Sequence, residues 1–196
     1  MKEVLAYILE TSVTPVSWHT VAKNTSLSSP HTVRSYVETL ELLMVARVVY
    51  WASPMGKVDY RKGKKILFND PFLYRVFSSY VNVEVGEPAI VEATVTARLA
   101  RLYPVYYWKN KTEVDVIALV TERSLGFEVK WRRKPSLGRK PLKTIVLGRE
   151  EIPTFLATLK IKRTNQCHDF SLKSVDIEVA GQTELIINVG PDTKWC

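Results

Sequence analysis

Val4, Leu5, Ile8 and Leu9 recur at the spacing of one helical face, so a short helix opens the chain. Ser17 is placed to cap a second helix, SWHTVAKNTS, which turns Val21 and Ala22 inward. Ser29 caps a third, and Pro30 takes its first position, where a missing N–H costs nothing. In that third helix Val33, Tyr36, Val37, Leu40 and Leu43 or Met44 form the apolar stripe. His31, Thr32, Arg34, Ser35 and Glu38 fall on the other face. The period then changes. ARVVYWA and KKILF are β-branched and aromatic, and the loop between them carries Lys57, Arg61 and Lys62.

Asn69-Asp70-Pro71 is a second cap-and-proline start and opens FLYRVFSSY. Pro88 starts a longer helix with Ile90, Val91, Val95, Leu99 and Leu102 in its stripe and Glu92 at its flank. Four strand-like runs follow: VYYWK, EVDVIALV, LGFEVKW and KTIVL, the middle two joined by a turn at Thr121-Glu122-Arg123-Ser124. Beyond Lys160 the texture shifts, and SVDIEVAGQTELIINVG alternates as a β-hairpin would. The expected organisation is three helices and a basic-tipped hairpin over 1–68, an α/β unit over 69–159, and a tail over 160–196. The first unit reads as a winged helix-turn-helix, with His31, Thr32, Arg34 and Ser35 facing a major groove and Lys57, Arg61 and Lys62 touching phosphates. Winged helices also serve as protein–protein connectors, and Glu38 and Glu41 would repel phosphate.

Candidate chemistry lies in the second unit. Strand alternation puts Glu128 and Lys130 on one face and Phe127 and Val129 on the other. Asp115, on the preceding strand, is expected across from Lys130 and diagonal to Glu128. Two carboxylates and an ammonium gathered in this way suit Mg²⁺ or Mn²⁺ bound by Asp115 and Glu128, with waters and a substrate phosphate completing the shell. Lys130 would hold the attacking water or offset developing charge, and Glu92 would add a ligand or orient a water. The catalytic candidates are thus Asp115, Glu128, Lys130 and Glu92. The same charges would serve equally as a salt-bridge ladder on a solvated sheet face.

The chain has 196 residues and a formal net charge of +8, which favours an anionic partner, DNA before membrane. Arg132, Arg133, Lys134, Arg139 and Lys140 form an acid-free run where a phosphate backbone would lie; a solvated loop is the alternative. No apolar stretch is long enough to span a bilayer, and the first residues include a glutamate, so a cytoplasmic protein is expected. Cys167 and Cys196 are too far apart in sequence to suggest a disulfide framework or a zinc site. No glycine sits in a nucleotide-binding loop pattern, so no nucleotide site is expected.

The runs VEATVTARL, EVDVIAL and FEVKW resemble the PD-(D/E)xK, restriction-endonuclease-like fold. Together with SSPHTVRSYVETLELLMVARVV and Lys65-Ile66-Leu67-Phe68-Asn69-Asp70-Pro71, they resemble the C-terminal region of archaeal and other prokaryotic AAA-type ATPases over about residues 3–159. There a winged helix joins an ATPase module to a nuclease-like domain. The resemblance implies an α/β (α+β overall) chain: an N-terminal winged helix-turn-helix, then a restriction-endonuclease-like mixed-sheet domain. The family-type acids fall on Glu92, Asp115 and Glu128, and the lysine on Lys130. It implies a DNA-associated protein, with metal-dependent DNA hydrolysis as one function. The alternatives are a non-catalytic DNA- or protein-binding module partnering an ATPase, or a winged-helix transcriptional regulator that self-associates. The ATPase module itself is absent from this sequence.

Overall fold

The cap signals act where the sequence places them. Ser17 Oγ accepts the Thr20 N–H at 3.0 Å, Ser29 Oγ accepts the His31 N–H at 3.2 Å, and an Asp70 carboxylate oxygen accepts the Phe72 N–H at 2.8 Å. Each satisfies one of the donors that a helix start leaves unpaired. The resulting helices are α2 (Trp18–Lys23), α3 (Pro30–Leu42) and α4 (Pro71–Val81), after α1 (Lys2–Glu10). In this computed structural model the described residues are 1–27, 29–120, 123–133 and 138–159, with two strands at 174–176 and 186–188. Lys134, the turn residues Thr121 and Glu122, and both cysteines lie outside them.

The α3 stripe is shorter than its sequence pattern. Val33, Val37 and Leu40 are buried, but Leu43 and Met44 are 66% and 73% exposed. The helix ends at Leu42, and Met44, at φ 57°, turns the chain away before the stripe completes another turn. Strand β1 (Ala46–Ala52) follows. It pairs antiparallel with β3 (Lys65–Phe68) along its first half and with the short β2 (Val58–Asp59) at its end. An isolated bridge between Val16 and Lys64 extends that pairing back toward α2.

Helix α5 (Glu87–Ala100) leads into the meander β4 (Val105–Lys109), β5 (Glu113–Val120) and β6 (Arg123–Val129), and then β7 (Thr144–Leu147). Arg123 and Ser124, expected in the turn, are the first residues of β6. β6 and β7 run parallel, and β1 joins the meander by a parallel pairing of Tyr50 with Tyr106 and Trp51 with Tyr107. One mixed sheet results, in the order β2-β1-β4-β5-β6-β7 with β3 also on β1, so the fold is mixed α+β. Helix α6 (Glu151–Thr158) closes the far end with Ile152 and Phe155 buried, an element whose i, i+3 spacing in EIPTFLATL signals it in the sequence. β8 (Ser174–Asp176) and β9 (Ile186–Asn188) pair antiparallel as a separate ribbon.

Two apolar clusters stabilise this frame. One gathers Ile8, Val37, Val49, Phe68 and Tyr74, and takes in Ala93 of α5 and Tyr107 of β4. The other packs Val95 and Leu99 of α5 on Val116 and Phe127, with Phe155 against Phe127 at 5.6 Å between ring centroids. Each fully buried aromatic contributes about 1.5–3 kcal/mol. Polar side chains enter between these clusters, where β3, α5, β5 and β6 converge.

Candidate functional site: a buried acid–lysine centre

Strand β3 is buried at every position, and its first residue is Lys65. The Lys65 side chain is 2% exposed, and its Nζ lies 2.8 Å from Glu92 Oε1 of α5 and 3.0 Å from Glu113 Oε1 of β5. Its Nζ is also 3.5 Å from the Asp115 carbonyl oxygen and 5.3 Å from the centroid of the Tyr107 ring. Glu113 Oε2 is held by Lys109 Nζ at 2.9 Å. The sequence placed Lys65 in the basic hairpin run and in the Lys65–Pro71 run but gave it no part in the acid cluster, and it assigned no role to Lys109 or Glu113. Glu113 carried a signal, since it stands two residues before Asp115 in EVDV.

Asp115 owes its position to a β-bulge. β4 pairs Tyr106 with Ile117 and Trp108 with Val114, so Asp115 and Val116 together oppose the single Tyr107. The β5–β6 ladder ends at Val116 opposite Phe127, and one step further sets Asp115 level with Glu128. This corrects the expectation that Asp115 would face Lys130. The bulge frees the Asp115 side chain to accept the Val129 N–H through Oδ2 at 2.8 Å. Glu128, 6% exposed, is held by two ammonium groups: Lys130 Nζ lies 2.7 Å from Oε1 and Lys140 Nζ 2.6 Å from Oε2. Lys140 also donates to the Glu113 carbonyl. Its ammonium, expected on a phosphate, is turned inward to these two groups.

Burial and charge set the protonation of the centre. Burial pushes Glu92 up to about 7; Lys65 opposes that shift and the charge of Asp115 adds to it. Asp115 is raised by burial and then by the Glu128 charge, against the pull of Lys65, the Val129 N–H and Lys130. Burial would raise Glu113, but Lys65 and Lys109 outweigh it and hold that carboxyl below its ordinary value. Burial would likewise lower Lys65 and Lys130; the facing carboxylates outweigh it and raise both.

The arrangement does not fit a divalent ion. Mg²⁺ needs oxygen ligands in a near-octahedral shell. Both oxygens of Glu128 are occupied by ammonium groups, and Asp115 Oδ2 by a backbone N–H. Among the described residues no group of three or more acidic, histidine or cysteine side chains is placed to hold an ion. Lys65 and Lys109 pair with Glu92 and Glu113, and Lys130 and Lys140 pair with Glu128, so four lysines face the four acids although the Asp115 carboxylate is held by a backbone N–H. A cation would have to displace Lys130 and Lys140 from Glu128 before it could bind there.

The expected DNA-contacting side chains fall into two groups. His31, Arg34 and Ser35 are exposed on α3, Thr32 is half-buried, and Arg34 pairs with Glu38 at 2.7 Å. Lys57, Arg61 and Lys62 are exposed around the hairpin, with Arg61 at 3.3 Å from Asp59 and Lys62 stacked over Trp51 at 3.6 Å. Lys64 sits over the Trp18 ring and feels the charge of Arg34, which puts the hairpin base near α3. Arg132, Arg133 and Arg139 are exposed on the other side of β6 in sequence. Trp131 packs on the second apolar cluster with the Arg149 guanidinium over its ring. No described helix is long and apolar enough to cross a membrane.

Comparison with known proteins adds two relatives. Uncharacterized protein Rv2008c of Mycobacterium tuberculosis and uncharacterized protein Mb2031c of Mycobacterium bovis are each 28% identical over 127 residues. The match covers 59% of this chain and 28% of the length of each relative. No family model matches the chain, and no solved structure matches it significantly.

Proposed function

We propose that this chain is a DNA-associated module, a winged helix-turn-helix over 1–68 joined to a nuclease-like core over 69–159, that holds DNA without cutting it and partners an ATPase carried by another protein. The observation that carries the non-cutting reading is the pairing of both Glu128 oxygens with Lys130 and Lys140, at 2.7 and 2.6 Å. A centre neutralised by its own lysines has no net negative charge left to draw in a metal ion. Three helices, of which α2 and α3 are capped by Ser17 and Ser29, the β1–β3 pairing and the Val16–Lys64 bridge support the winged-helix reading. Helix α5 followed by the β4–β5–β6 meander and a parallel β7 supports the nuclease-like reading. A match confined to a minor part of two longer mycobacterial proteins suits a module that also occurs inside longer chains. The net charge of +8 supplies the affinity for phosphate.

One observation favours a second reading, metal-dependent DNA hydrolysis. Asp115 and Glu128 are neighbouring buried carboxylates, and the charge of one raises the pKa of the other. The test is a parallel assay of binding and cleavage on supercoiled plasmid and branched DNA, with Mg²⁺ or Mn²⁺. The proposal expects retarded DNA that is recovered intact. Nicking or linearisation that disappears in Asp115→Asn and Lys130→Ala, with retardation retained, establishes the hydrolase instead.

A further inference from the structure

Away from the acid–lysine centre, a cleft of about 430 Å³ opens between β1, the β2 hairpin and the turn from α5 into β4. Its walls carry four tyrosines, Tyr50, Tyr60, Tyr103 and Tyr106, and two arginines, Arg47 and Arg101. Tyr50 and Tyr106 are register partners across the parallel β1–β4 pairing. Tyr60 stands edge-on to Tyr50, with ring centroids 4.9 Å apart and planes at 70°. Tyr60 is also close enough to Tyr106 to raise its pKa. Tyr50, Tyr60 and Tyr106 are thus neighbours along one side of the cleft.

Two features separate this wall from ordinary core. Tyr74 and Tyr107 commit their hydroxyls internally, to Ser12 and Phe68 and to the Gly63 carbonyl. Among the described residues none of the four cleft hydroxyls is so engaged, and Tyr60 is 64% exposed. The cations differ as well. Arg47 donates to Asn69 Oδ1 at 3.3 Å and lies near Glu41, whose carboxylate accepts the Val48 N–H. Arg101, exposed at the end of α5, pairs with no carboxylate among the described residues. Arg34 and Glu38 of α3 lie within electrostatic range of Tyr50.

We propose that this cleft binds unpaired nucleobases of single-stranded nucleic acid, which stack on Tyr50, Tyr60 and Tyr106 while Arg101 and Arg47 hold the adjoining phosphates. Aromatic walls edged by cations bind single strands in this way because every base has a π-face and every linkage a negative charge. The volume suits one or two bases, whereas a duplex presents only stacked bases and a backbone. The inference rests on the DNA-associated reading and adds to it a preference for DNA with unpaired segments, such as branches or displaced strands.

The experiment uses the full chain with a fluorescein-labelled oligo-dT and a duplex of equal length, read by anisotropy in parent, Tyr60→Ala and Tyr60→Ala/Arg101→Ala. Both positions are exposed, so the fold is retained. The expected result is a loss of about tenfold in oligo-dT affinity for the double variant, with duplex affinity changed less than about twofold. Tyr60→Trp should show fluorescence quenching on oligo-dT addition, as a stacked indole does. Unchanged oligo-dT binding with intact duplex binding overturns the cleft and leaves the DNA reading standing. Equal loss on both probes reduces the two residues to general phosphate contacts and also overturns it. Displacement of oligo-dT by AMP or by poly-glutamate, at matched charge, would identify a free-nucleotide or acidic-peptide site instead. A parent chain that binds neither probe removes both readings.

Discussion

Lys65 is the residue on which the centre turns. A buried ammonium is costly unless paired, and this one has Glu92 and Glu113 within 3.0 Å. Lys65→Met removes the charge and leaves Glu92 facing Asp115 with no compensating cation on that side. We expect a loss of about 3–5 kcal/mol in urea unfolding, with Glu92→Gln in the same chain recovering part of it. Glu92 adds a pH signature. Its folded pKa of about 7 stands above the ordinary 4.5, so folding takes up a proton between those values. Stability from this group is fully present below about pH 4.5 and is lost as pH rises through 7, by roughly 3 kcal/mol. Glu92→Gln should flatten the stability profile between pH 5 and pH 8; an unchanged slope would mean that Glu92 is ionised throughout.

Among the elements, β5 and β6 decide the geometry. The bulge at Asp115 and Val116 aims a carboxylate at the Val129 N–H, and Gly126 lets β7 lie close alongside. A Cβ added at Gly126 would come within 2.7 Å of Thr144 Oγ1 and 3.0 Å of Val114 Cγ1. Gly126→Ala should therefore destabilise by about 1–3 kcal/mol in thermal or urea unfolding, because the parallel pairing must shift. Helix starts were legible in the sequence because Ser17, Ser29-Pro30 and Asp70-Pro71 act locally. The four strands after α5 were legible because their side chains alternate or run apolar. The bulge was not, since one extra residue in a strand leaves no mark on its own sequence. Nor was the burial of Lys65: a lysine beside a hairpin reads as solvated until α5 and β5 are seen to close over it. Lys140 sat in a run of cations that looked uniform, and only the tertiary path separates it from the exposed Arg139. Helix α6 was overlooked although Ile152 and Phe155 carried its signal.

At the scale of the molecule, charge is partitioned by depth. The acids of the centre are buried or half-buried and face lysines, while Arg132, Arg133, Arg139, Lys57 and Lys62 remain outside. Among the described residues the excess of positive charge thus lies at the surface, and lysines offset the acids of the interior centre. The centre ties β3, α5, β5 and β6 together, and its lysines occupy both Glu128 oxygens that an ion would need. The direct measurement is a calorimetric titration of the purified chain with Mn²⁺. The account predicts no saturable binding across the millimolar range in parent or Asp115→Asn protein. A one-site isotherm in the parent that vanishes in Asp115→Asn would contradict it.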